Sequence, residues 1–268
     1  MSDEFTQTAE PRDANGKAGL SDDAFLGGKL QLLQPEKGYR AGIDAVLLAA
    51  SIPAADRDAV FEAGLGTGVA ACCLAARQSG VGITGIEIAS RYAMIAEENA
   101  RRNGLDQRLQ VLKGDLTDSM RHDDADWPGP ATFDHAYANP PFFEEASVQP
   151  PADALRAQAH LLKPGALEAW VKVMTGLVKP RGTVSVIHPA SSLPRLLSAM
   201  EPRLGNLTVL PMRARREDAA SRVIVRGTKG SKAPLRLMTG LVLHGAEGNG
   251  FLPEIDAILR HGHPLVFE

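Results

Sequence analysis

Two stretches of this chain carry residue types that can do chemistry. One is Asn139-Pro140-Pro141-Phe142, and the other is the glycine-rich turn Glu62-Ala63-Gly64-Leu65-Gly66-Thr67-Gly68. The first suits a flat, weakly nucleophilic amino group. Such a nitrogen attacks poorly because its lone pair is spread into the ring, and two acceptors that bond both of its hydrogens localise that pair. The Asn139 side-chain oxygen is one acceptor and the Pro140 carbonyl the other. Pro140 and Pro141 lack N–H donors and restrict φ, which keeps the carbonyl aimed. Phe142 offers a face on which a flipped-out base stacks. No strong general base is required, since the alkylated nitrogen becomes acidic and gives its proton to water. A plain Asn-Pro-Pro turn is the competing reading, and the motif's place at a strand end disfavours it.

Gly64, Gly66 and Gly68 permit positive φ and close backbone approach, so a following helix can present its N–H groups to a ligand. The triplet alone also suits a nicotinamide site. Glu62 separates the two. A carboxylate there is awkward for a pyrophosphate but suits a cationic amino group, and S-adenosylmethionine carries an ammonium, a sulfonium and no phosphate. Glu87 ends the next strand, where its oxygens can accept from both ribose hydroxyls, a requirement shared with dinucleotide folds. Asp115 is placed to accept the adenine amino group. Each alone reads as a strand-end charge or a turn residue; in register they read as one cofactor site. The chemistry implied is methyl transfer from S-adenosylmethionine to an exocyclic or amide nitrogen.

The elements that must position these residues alternate. Strands are expected at 29–34, 59–62, 82–87, 109–113, 133–138 and 183–187, and helices at 43–51, 69–77, 90–103, 167–177 and 193–200. Gly104 reads as the stop of the third helix. Alternation of this kind implies a doubly wound, mainly parallel α/β sheet, because parallel neighbours require crossovers. Ligands of such sheets lie beyond the carboxyl ends of the strands, where all four chemical positions fall. Residues 207–212, 222–228 and 235–244 read as strands without full connecting helices, and so as antiparallel additions at the C-terminal edge. Residues 117–132 read as a surface excursion.

With 268 residues, 44% hydrophobic and 23% charged, the chain has the composition of an ordinary globular protein. No apolar run is long enough to cross a bilayer. Residues 1–23 are polar and acidic, lack a signal-peptide pattern and read as a disordered tail, and 24–268 as a single domain. Cys72 and Cys73 are neighbours in an Ala-rich helix, which suits buried thiols rather than a staple or metal site. No metal site is evident, His261 and His263 read as a surface pair, and the cytoplasm is the expected compartment. A net charge of −3 is not that of a nucleic-acid binder overall. Basic residues nevertheless recur at Arg213, Arg215, Arg216, Arg222, Arg226, Lys229, Lys232 and Arg236, and a local basic face can hold phosphates. Of these, Arg213, Arg215, Arg216, Arg222, Lys229 and Lys232 are the candidate RNA contacts.

On these motifs the chain resembles the class I S-adenosylmethionine-dependent methyltransferases, in the branch whose fourth motif is Asn/Asp/Ser-Pro-Pro-aromatic. Leu33-Gln34-Pro35-Glu36-Lys37-Gly38-Tyr39-Arg40, followed by Gly42-Ile43-Asp44-Ala45-Val46-Leu47-Leu48-Ala49, is similar to the bacterial tRNA1(Val) adenine-N6 methyltransferase family. The resemblance implies a seven-stranded Rossmann-like sheet. It also implies N6-methylation of the adenosine beside the anticodon of a valine tRNA. Residues 24–55 would wall the cofactor pocket with the help of Asp44. The aromatic is Phe142 where the family often has Tyr, and Phe is frequent in rRNA guanine-N2 methyltransferases. A protein glutamine-N5 methyltransferase would use the same acceptors, but the segment before Glu62 is too short for its helical domain. A DNA adenine methyltransferase would need a target-recognition domain that is not visible. A non-catalytic RNA-binding module would not need all of Glu62, Glu87, Asp115 and Asn139, and an NAD-linked reductase leaves 139–142 unexplained.

Overall fold

The computed structural model describes residues 19–38, 40–118, 127–141, 143–144, 161–162 and 165–267. The tail before residue 19, residues 119–126 of the 117–132 excursion and Phe142 lie outside the described residues. The sheet is assembled from β3 (Ala59–Ala63), β4 (Gly82–Glu87), β5 (Leu109–Lys113), β6 (Phe133–Ala138), β9 (Val178–Pro189), β10 (Leu204–Arg213) and β11 (Arg222–Lys229). Their spatial order is β5-β4-β3-β6-β9-β11-β10. Two short strands, β12 (Arg236–Leu237) and β13 (Leu241–Val242), both pair with β10. Two further two-residue strands, β7 (Phe143–Glu144) and β8 (Leu161–Leu162), pair with each other.

Strand direction refines the expectation for the C-terminal edge. β11 is antiparallel to both β9 and β10, whereas β12 and β13 run parallel to β10. The crossover through α5 (Leu193–Met200) carries the chain past the position of β11, so β10 runs the same way as β9. Residues 235–244 are not one continuous strand: Gly240 takes φ +91 between the two short pairings.

Helices cover both faces. α1 (Ile43–Ser51), α2 (Val69–Arg77) and α3 (Ser90–Arg102) share one core with Val60, Ile83, Tyr137 and Ile187, while α4 (Ala166–Leu177) and α5 share the other with Phe61, Ala136, Ala138 and Val186. The alternation Val60/Phe61 and Tyr137/Ala138 is the period-2 consequence of a strand buried on both sides. α2 buries every residue from Val69 to Ala75, and its small side chains allow a close approach. Cys72 and Cys73 are buried there as free thiols; burial pushes Cys72 up to about 12 and Cys73 well above its ordinary value. α3 ends in a Schellman motif, with Leu105 N–H donating to Ala100 and Gly104 at φ +65.

The N-terminal segment corrects one boundary. β1 (Leu20–Phe25) pairs antiparallel with β2 (Leu30–Pro35), so the stretch assigned to the tail contributes Leu20–Asp23 to a hairpin. Its acidic residues are engaged: Asp23 pairs with Arg40 at 2.6 Å, and Asp22 pairs with Arg102. A last helix, α6 (Pro253–His261), which the sequence pattern did not announce, buries Ile255 and Ile258 against this region.

Candidate active site

Register brings the chemical residues to one edge. Ala63 of β3 pairs with Ile86 of β4 and Ala138 of β6, so Gly64, Glu87 and Asn139 are the next residues on three adjacent strands. Lys113 of β5 pairs with Glu87, which sets Gly114-Asp115 one step beyond, and the Gly114 N–H donates to the Glu87 carbonyl at 2.9 Å. The four positions expected at the carboxyl edge are therefore neighbours in space.

The glycine turn has the backbone its sequence requires. Gly64, Gly66 and Gly68 have φ of +71, +56 and +78. At Gly64 a Cβ would also sit 2.6 Å from the Trp170 ring on α4, so both conformation and space demand glycine there. Glu87 holds the turn. One carboxylate oxygen accepts from the Gly66 N–H and the other from the Ala89 N–H, each at 2.8 Å. Burial pushes its pKa up, and the backbone N–H groups of Ala89, Gly66 and Ile88 draw it back. Each oxygen keeps acceptor capacity beyond those bonds.

Glu62 lies deeper, 3% exposed on the α2 side of the sheet. Its register partner on β6 is Tyr137, whose hydroxyl donates to it at 2.7 Å. Burial pushes Glu62 up to about 8, although Tyr137 and the Ala71 N–H in the first turn of α2 pull the other way; Glu87 adds to the rise. The same burial and the Glu62 carboxyl raise the Tyr137 hydroxyl well above its ordinary value. Tyr137 escaped the sequence reading, although its place two residues before Asn139 was a usable signal.

Asn139 is half-buried, and its Oδ1 is buried with no hydrogen-bond partner among the described residues. Pro140 is buried and Pro141 half-buried. An unsatisfied buried acceptor costs about 1–3 kcal/mol. Asp115 closes its own turn, accepting from the Thr117 N–H at 2.8 Å and its hydroxyl at 2.7 Å.

Asn99 is the second residue that sequence reasoning missed. It is fully buried on α3, donates to the carbonyls of Leu33 (3.0 Å) and Thr67 (2.9 Å), and accepts from the Leu33 N–H (2.7 Å). One side chain thus clamps the N-terminal hairpin to the glycine turn. Gln34 continues the clamp by exchanging hydrogen bonds with the Ala41 backbone and donating to Asp23. Asp44, in the first turn of α1, is held at 3.0 Å by Arg222 at the start of β11.

The basic residues do not form one face. Arg213, Arg215, Arg216 and Arg222 lie at the site edge, because Arg222 pairs with Met212 and with Pro189 at the end of β9. Lys229 ends β11 and donates to the Val178 carbonyl at 2.8 Å, at the opposite edge. Seven residue steps along the strand separate Arg222 from Lys229, about 23 Å. Lys232 follows the turn beyond Lys229 and belongs to that far end. Near the site, Arg215 is committed to the carbonyls of Gly245 and Gly248, and Arg216 is exposed. Among the described residues no group of three or more His, Cys, Asp or Glu is placed to hold a metal ion.

Known proteins resemble this chain in sequence and in fold. Residues 40–171 match the methyltransferase small domain family. Protein Atu636 from Agrobacterium tumefaciens, a predicted O-methyltransferase of known structure, has TM-score 0.69 at 24% identity over 83% of this chain and 98% of its own, which shows the fold. A tRNA1(Val) (adenine(37)-N6)-methyltransferase of Shewanella frigidimarina is 29% identical over 58% of this chain and 61% of that relative, less than two thirds of its length. Another, from Porphyromonas gingivalis, is 30% identical over 203 residues, 70% of this chain and 76% of the relative. Likeness sustained over that much of a relative exceeds a shared architecture, and the chain belongs to the tRNA1(Val) (adenine(37)-N6)-methyltransferase family.

Proposed function

We propose that this chain methylates the N6 amino group of an adenosine in tRNA, the adenosine beside the anticodon of valine tRNA, with S-adenosylmethionine as donor. The observation that carries the reading is the buried Oδ1 of Asn139, without a partner among the described residues, at the strand end next to the glycine turn. The relatives' names supply adenine 37 as the position, and it is part of the proposal.

The residues present suit that donor. Gly64–Gly68 and the first turn of α2 leave backbone room for its amino-acid end. Glu62 stands behind the turn as a buried carboxyl that the ammonium of this donor would draw towards its ionised form. Glu87, oriented by two backbone N–H groups, retains lone pairs for ribose hydroxyls. Asp115 stands one step beyond for the adenine, and Asp44 at the mouth of α1 walls the site. Bound there, S-adenosylmethionine supplies an electrophilic methyl group. Asn139 Oδ1 and the Pro140 carbonyl accept the two hydrogens of the target amino group, which frees its lone pair and holds it in line. Phe142 follows directly in the chain and is the proposed stacking face. Arg213 and Arg216 are the proposed RNA contacts at this edge, with Arg215 and Arg222 bracing it. Lys229 and Lys232 are set at the other end and do not belong to this contact.

A tRNA substrate implies the cytoplasm. No helix among the described residues is long and apolar enough to cross a membrane. The test is transfer of labelled methyl to unmodified valine tRNA, compared with rRNA and protein fractions. N6-methyladenosine in the tRNA supports the proposal; N2-methylguanosine or methylglutamine as the product refutes the assigned acceptor.

A further inference from the structure

At the end of the sheet opposite Asn139 the structure holds a cavity of about 480 Å³ that the methyl-transfer reading does not use. Thr183 of β9 and Thr228 of β11, which pair with each other, lie in its wall. Thr183 is also paired with His135, four residues before Asn139, so the cavity lies about 13 Å down the strands from the site. Three guanidiniums line it, those of Arg77, Arg226 and Arg236, and no carboxylate is among the described lining residues. Asp58 and Asp134, on neighbouring strand ends, face other partners: Asp58 meets His135 and Asp134 meets Lys179.

These arginines have ordinary structural duties, and the duties do not exhaust them. Arg77 donates to the carbonyls of Ala49 and Ile52, and Arg226 to that of Ser51, which completes the C-terminal end of α1. Among the described residues Arg236 reaches only the Thr208 hydroxyl, at 3.4 Å. Each guanidinium carries five N–H donors. The Nε of Arg77 and of Arg226 are buried with no hydrogen-bond partner among the described residues. Arg226 is stacked 3.9 Å above the Phe267 ring, and burial together with Arg236 lowers its pKa to about 10. Guanidiniums with spare donors that share a concave, partly apolar pocket, and that meet no carboxylate among the described lining residues, form an arrangement that an anion would stabilise.

We propose that this cavity is an anion site that takes a phosphate-bearing group, with Arg226 and Arg236 as its principal ligands. Planar guanidiniums bind phosphate oxygens through paired N–H donors, and the Thr228 hydroxyl adds a neutral one, whereas Thr183 is engaged with His135 at 2.8 Å. The volume is that of a small-molecule site and exceeds what a bare ion fills. The phosphate belongs either to a free small molecule or to the end of an RNA.

The test is calorimetric titration of the full chain with pyrophosphate at low and high salt, beside Arg236→Gln. Arg236 is exposed and carries one long hydrogen bond, so the variant keeps the thermal midpoint and cofactor affinity of the wild type. The expected result is saturable binding that weakens with salt and falls at least tenfold in Arg236→Gln. Arg226→Gln should lose binding as well, with its thermal midpoint recorded alongside. Competition between pyrophosphate and tRNA that disappears in Arg236→Gln assigns the phosphate to RNA; simultaneous binding assigns it to a free molecule. No heat from the wild type at millimolar pyrophosphate, or equal binding by Arg236→Gln, overturns the proposal.

Discussion

Replacing Glu62 by Gln should stabilise this protein, and by an amount that depends on pH. The folded carboxyl titrates near 8, against 4.5 for the ordinary side chain, with burial as the leading cause. Between those values the folded protein holds a proton that the unfolded chain has released, so this group's contribution falls as pH rises. The loss begins above the ordinary value and is complete once pH passes the folded one. Each pH unit in the window is worth about 1.4 kcal/mol, so from about pH 5 to pH 7 the wild type loses on the order of 2–3 kcal/mol relative to the variant. Glutamine fits the same hydrogen bonds. Its amide oxygen can accept from the Ala71 N–H, and its NH2 can donate to the Tyr137 hydroxyl, which both donates and accepts. For a chain near this size the difference corresponds to a shift of roughly 5–10 °C in the thermal midpoint. Thermal unfolding of both proteins in matched buffers reads it directly, because all other titrating groups are shared. Midpoints that run parallel across this range, or a variant less stable throughout, would refute the reasoning.

Three further outcomes follow from the geometry. Asn139→Ala should abolish methyl transfer while cofactor affinity stays within a few-fold. Removing an unbonded buried oxygen should leave stability equal or higher by about 1 kcal/mol, and transfer that persists would remove the acceptor role. Asn99→Ala strips the hydrogen bonds to Leu33 and Thr67, should cost about 2–4 kcal/mol in denaturant unfolding, and should weaken cofactor binding through the loosened turn. Arg216→Glu should weaken tRNA binding and flatten its salt dependence by about one phosphate contact, whereas unchanged affinity takes that surface out of the account. Arg215→Glu is the poorer probe, since Arg215 also holds the backbone at Gly245 and Gly248.

The parts of the fold that were legible in the sequence are those where local pattern and tertiary burial agree. α1, α2, β4, β5 and β6 occupy the expected residues because their apolar periods match the faces they bury. β1 was hidden because Asp22 and Asp23 make it look like a solvated tail, and only its pairing with β2 and the arginines opposite give it order. α6 follows a glycine-rich stretch and is short, with Pro253 at its start and Gly262 at its end as local cues. The site residues at strand ends could be read because a doubly wound sheet sends such positions to one edge. Asn99 could not, since it acts across elements distant in sequence, and Tyr137 had only its place two residues before Asn139 to mark it. The basic residues show the converse: contiguous in sequence, they are divided by β11 running from one edge of the sheet to the other.

The most direct test of the central claim is nucleoside and oligonucleotide mass spectrometry of unmodified valine tRNA after incubation with the protein and S-adenosylmethionine, with Asn139→Ala in parallel. The account predicts one N6-methyladenosine, mapped to the position beside the anticodon, formed by the wild type and not by the variant. A methyl group elsewhere on the RNA, or equal product from the variant, would contradict it.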